Sequence, residues 1–123
     1  MKTGRWITGI TSAILFIFGI LHGLRFVQLE ALMSASALKD PLGGIMRAAW
    51  LGFSVEQMAL AVIAFVASGI DRGGLIVMLC GVTMGLTGLV MFHFMGPFPP
   101  VFVGLVIALL FLAGGWMQMK QKA

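Results

Sequence analysis

The sequence has little charge. Asp, Glu, Lys and Arg make up 10% of its 123 residues, whereas hydrophobic residues make up 60%, and the mean hydropathy is +1.08. The apolar residues fall in long runs separated by short polar breaks, which excludes an ordinary water-soluble domain and gives the pattern of a membrane protein. There is a single cysteine, Cys80, inside an apolar run. That excludes a disulfide framework, a CxxC redox pair and a thiolate zinc site, and leaves Cys80 as a small apolar filler. Ser12, Ser54 and Ser68 lack the G-x-S-x-G elbow of a serine nucleophile. Gly43-Gly44 and Gly73-Gly74 read as turns, because no phosphate-loop Lys-Ser/Thr follows either pair. No internal repeat is visible, which argues against an inverted-repeat transporter built within one chain.

The net charge of +4 comes from eight scattered Lys and Arg that mostly flank the apolar runs. This placement suits membrane topology and offers no patch for nucleic acid. At the N-terminus, MKTGR precedes an apolar run with no small-residue cleavage site where one should fall, so the run is expected to stay as a transmembrane helix.

Four spans are expected, at about 6–27, 48–68, 75–95 and 101–117, within a single transmembrane domain covering 1–123. Each approaches the ~20 residues needed to cross ~30 Å of hydrocarbon. KDPLGG, DRGG and GPFPP punctuate the connections, and QLEALMSASAL is expected to extend the first helix or lie along the surface. Short connections favour an all-α, antiparallel up-down-up-down four-helix bundle. Lys2, Arg5, Arg72, Lys120 and Lys122 would share one side, against Lys39, Arg25 and Arg47 on the other. The asymmetry places both termini inside a bacterial-type cytoplasmic (inner) membrane. Small residues at Gly19/Gly23, Gly81/Gly85/Gly88 and Gly104/Ala108 mark close helix approaches, within the chain or in a homo-oligomer.

Polar residues inside the spans are the natural site candidates. Glu56 and Gln57 fall in the second span, and Ala49, Gly52, Ala59, Ile63 and Ala67 share a helical face with Glu56, which suggests that this face packs on protein. His22, Arg25 and Gln28 share one side of the first helix. His22 lies ~24 Å above Trp6 and Glu56 lies ~12 Å below the outer edge, so their depths differ by about one turn. With His93 from the third span, they are expected to converge in the outer half. Arg47 is out of phase with Glu56 and is expected to reach for the outer surface. The expected ligand-binding set is therefore Glu56, His22, Arg25, His93, Gln57 and Arg47, with no catalytic residue assigned.

Two cofactors are suggested by residue type. Met91-x-His93-x-Met95 offers soft ligands for copper, but a helix turns His93 away from the two methionines, so no metal site is expected. His22 and His93 would ligate a haem only if they faced each other across a gap in the bundle.

FIFGILHGLRF in the first helix, followed by RAAWLG at the start of the second, resembles the DoxX-type small four-helix bacterial membrane proteins. Arg47-Ala48 followed by Phe53-Ser54-Val55-Glu56 is similar to the R-A-x-x-N-x-x-E pattern of the MAPEG glutathione-handling family, with Phe53 in place of Asn and a longer Arg-to-Glu spacing. That second likeness implies a trimer in which Arg47 and Glu56 touch a thiol cofactor.

Three roles fit these residues. The first is a polar pocket in the outer half that binds or acts on a small lipophilic molecule, quinone- or lipid-like. The second is an accessory subunit of a larger membrane complex. The third is a proton-coupled oligomeric transporter or channel with Glu56 as the titrating group.

Overall fold

A computed structural model describes residues 3–36 and 41–121. Lys2, Lys39 and Lys122 of the charge argument lie outside these residues, as does Asp40 of KDPLGG. The described residues are helical, in the order α1 (Thr3–Leu24), α2 (Phe26–Ala35), α3 (Leu42–Gly69), α4 (Gly74–Met95) and α5 (Pro99–Lys120). Four helical stretches are long and apolar enough to cross a membrane, with α1 and α2 counted as one. The chain is an integral membrane four-helix bundle of up-down-up-down topology, as its hydropathy requires.

The ring of helices runs α1–α3–α4–α5 and back to α1. The α4–α5 and α1–α3 hairpins pack tightly, α1 also packs on α5, and α3 meets α4 only loosely. We call the end that holds Thr3 and Gln121 proximal and the opposite end distal. Leu15 and Phe111 are fully buried at the centre, with Val77, Met84 and Ile107 around them. Cys80 is buried in the same cluster, in the filler role its context suggested.

Proximally, the helices touch through glycine. A Cβ on Gly74 would lie 2.6 Å from the carbonyl oxygen of Gly115, and one on Gly115 would lie 2.6 Å from that of Gly74. Gly4 and Gly114 bring α1 and α5 together in the same way. The buried Gln118 seals this crossing: its Nε2 donates to Thr8 Oγ1 at 2.7 Å and to the Gly4 carbonyl at 3.3 Å. Thr8 Oγ1 in turn donates to that carbonyl at 2.9 Å. Paired groups of this kind are tolerated where water cannot reach. The stripes expected from sequence are used within the chain as well: Gly19 faces Met58 and Ser54, Gly81 faces Ala108 and Leu112, and Gly88 faces Leu105.

Three boundaries differ from the hydropathy reading. The first helix is interrupted at Arg25 and continues as α2 past the expected span end at 27, so that QLEALMSASAL extends it as far as Ala35, one of its two expected placements. The second span begins at Leu42, not at 48, so Gly43-Gly44 is the start of a helix and not a turn. Its 28 residues measure about 42 Å, more than a hydrocarbon core needs. The excess is distal, where α2 lies against it. There Arg47 makes a two-pronged bond with Glu30, Nε to Oε2 at 2.7 Å and one terminal nitrogen to Oε1 at 2.9 Å. Arg47 thus fastens α2 to α3 at the distal end, the side toward which it was expected to reach. The fourth span starts at Pro99, because proline at the first helical positions gives up a donor that has no helical partner anyway.

A further correction concerns the buried face of α3. Of the residues expected to pack with Glu56 against protein, Ala49, Gly52, Ala59 and Ile63 are exposed and Ala67 is buried. The buried stripe is Ser54, Gln57, Ala61, Ala64, Ala67 and Ser68. The helix is turned by about one residue, ~100°, from the expected orientation.

Candidate functional site

The loose α3–α4 seam leaves a distal cavity of about 550 Å³. This falls within the range of roughly 300–1,000 Å³ found for small-molecule sites. The cavity is lined along α4 from Met84 to Met95, about 16 Å of helix axis. Its deep end is bounded by Phe18 on α1, Gln57 on α3, Met84 on α4 and Gly104 on α5; Arg25, Leu29, Met46 and Phe98 border it distally.

Local sequence explains the space. Gly88 and Gly104 have no side chains to fill it, and a Cβ on Gly104 would come no closer than 3.9 Å to Met84 Cε. Gly96, at φ +70°, takes a left-handed conformation that suits glycine, and it turns the chain so that Phe98 meets the cavity. The walls are mostly apolar, with Met46, Met84, Met91 and Met95 contributing flexible thioether chains that adapt to what they surround.

Three of the expected residues border this cavity: His22, Arg25 and Gln57. His22 stacks on Trp50, with ring centroids 4.2 Å apart and planes 16° from parallel, and meets Phe53 edge-on at 5.2 Å. The Trp50 indole donates to the His22 carbonyl at 2.9 Å, which locks the two helices at this level. The ring Nε2 of His22 is buried and has no partner among the described residues. Arg25 is exposed beside it.

Gln57 is the most unusual of the three. Its side chain is 0% exposed, and neither Oε1 nor Nε2 has a hydrogen-bond partner among the described residues. A buried amide without partners loses its hydration and gains nothing in return, at about 1–3 kcal/mol for each unpaired group. Native structures rarely carry such a group without a reason.

The other expected residues do not line this cavity. Glu56 lies at the α3–α4 seam, where its Oε1 accepts from Thr87 Oγ1 at 3.4 Å. Thr87 is itself a wall residue, so the carboxylate stands just behind the wall. Arg47 is held by Glu30, away from Glu56. His93 is exposed on α4, its ring edge-on to Phe94 at 4.9 Å, while Met91 and Met95 face the cavity. His22 and His93 therefore do not oppose each other in the way a haem would need. Among the described residues no three His, Cys, Asp or Glu side chains gather at one point.

Sequence reasoning missed the aromatic and methionine walls. Their signal was periodic: Met46, Trp50, Phe53 and Gln57 recur at helical spacing on α3, as do Phe18, His22, Arg25 and Leu29 along α1 and α2. In a sequence this apolar such stripes do not stand out from lipid-facing ones. Chemically, the site has room for an apolar body among adaptable walls, and two of its wall residues, Gln57 and His22, carry buried polar atoms with no partner among the described residues. No family model, no curated protein and no solved structure matches this chain.

Proposed function

We propose that this protein is a membrane-embedded binding module whose distal cavity takes one small lipophilic molecule, quinone- or lipid-like, from the bilayer. In this role it sits in a bacterial-type cytoplasmic membrane with both termini inside, so that the cavity belongs to the outer half. Arg5, Arg72 and Lys120 at the proximal end support that orientation. The observation that carries the proposal is Gln57, a residue of the wall of a mostly apolar cavity whose buried amide has no partner at either end among the described residues. A fixed structural role would favour leucine there. A bound molecule supplies the missing partner.

Trp50 borders the cavity and provides the reporter. With Trp6 and Trp116 replaced by Phe, its fluorescence in detergent should be quenched saturably by a bromine-tagged long-chain alcohol or by a short-chain quinone. Gly104→Leu places a side chain in the deep end and should weaken that binding by about tenfold or more, with helix content unchanged. Equal saturation with and without the leucine, or no saturable quenching by either molecule, would refute the proposal.

A further inference from the structure

Resting on that binding role, we infer the chemical class of the ligand: a lipophile whose inner end is a neutral group that both donates and accepts hydrogen bonds, such as a hydroxyl. A membrane lipid lying tail-first would place hydrocarbon against Gln57 and leave its amide as unpaired as before. The polar end must therefore go in first.

Gln57 presents one carbonyl oxygen and an NH2 group with two donors, and both ends lack partners among the described residues. A group that only accepts, such as a ketone, an ether or an ester, satisfies the NH2 and leaves the oxygen bare. A hydroxyl answers both. The charge distribution favours a neutral group. Among the described residues Arg25 is the only Lys or Arg on the wall, and it stands at the distal, exposed border. Glu56 adjoins Gln57 in sequence and is bonded to the wall residue Thr87. An anion at the deep end would meet a neighbouring carboxyl and no cation. Farther out, the unpartnered Nε2 of His22 can bond a second polar group on the same molecule. Between and around these two residues, Phe53, Met84 and Met91 enclose the apolar body. A lipophilic alcohol fits this pattern. So does a quinol, in preference to the quinone of the same skeleton, because the quinone carbonyls only accept.

The test uses a matched pair, a bromine-tagged long-chain alcohol and its methyl ether, read by quenching of Trp50 in the background that lacks Trp6 and Trp116. The alcohol should bind at least about tenfold more tightly than the ether, the effect of one buried hydrogen bond with its desolvated partner. Gln57→Leu should bring the ratio close to one. Because the alcohol-to-ether ratio is measured first on the unsubstituted Gln57 protein, it does not depend on the folding of any Gln57 variant. Equal affinities for alcohol and ether would overturn the ligand class while leaving the cavity a binding site. Failure of both to bind saturably would instead remove the binding role itself.

Discussion

Gln57→Leu is expected to yield a more stable protein that has lost its ligand. Leucine of similar reach removes two buried polar atoms that have no partners among the described residues and puts apolar surface among Met84, Phe53 and Phe18. Relieving one or both unpaired groups should raise unfolding free energy by about 1–3 kcal/mol, a shift of a few degrees in Tm. The same change should weaken binding of a hydroxyl-bearing lipophile by at least about tenfold. Stability and function would thus move in opposite directions, as they do where a site is kept at the expense of packing. The check is a thermal melt of delipidated protein in detergent, run beside the Trp50 quenching assay. A lower Tm for the leucine variant would mean that Gln57 is a structural residue with partners, and the role assigned to it would fall.

Gly115→Leu should destabilise the bundle more than the loss of any side chain lining the cavity. Its Cβ would meet the Gly74 carbonyl oxygen at 2.6 Å and the Met78 backbone nitrogen at 2.9 Å, and backbone cannot step aside as a side chain can. In a membrane, helix association rests on this close packing and not on hydrophobic exclusion. Forcing α4 and α5 apart should cost about 3 kcal/mol or more. It should also disturb the bonds from Gln118 to Thr8 and Gly4. Gly52→Ala is the control, because nothing lies within 4 Å of a Cβ there. Alanine should leave stability unchanged or raise it by up to ~1 kcal/mol through helix propensity. Thermal unfolding and size-exclusion profiles of the two variants separate these outcomes.

Hydropathy made the bundle legible, because a run of about 20 apolar residues leaves few alternatives to a spanning helix. It made the ends of helices less legible. Leu42 to Arg47 is moderately apolar and contains Gly43-Gly44, so it looks like a turn, yet the α2–α3 clasp through Glu30 and Arg47 keeps it helical. That pair joins residues on opposite sides of a connection, and neither position announces the other.

The site was harder to read for a related reason. Glu56 draws attention as a charge in a span, and its neighbour Gln57 is the residue that turns inward. Which of two adjacent residues faces the interior is a question of ~100° of helix rotation. Small residues could not settle it, since alanine and glycine occur on both faces of α3, at Gly52 and Ala59 outside and at Ala61 and Ala64 inside. In lipid the polar-outside rule that orients helices in water is absent. Packing against α1 decides it: Gly19 leaves room for the Cβ of Gln57 and for Met58. His22 and Arg25 were expected together because their spacing follows one helix face, which requires no knowledge of a neighbour, and both border the cavity.

The most direct test is native mass spectrometry of the protein released intact from detergent micelles. The predicted spectrum shows the chain carrying one small lipophile, lost in Gly104→Leu and retained in Gly52→Ala. The bare mass of the chain alone, obtained under conditions gentle enough to keep ligands on other membrane proteins, would contradict a binding role for the cavity beside Gln57.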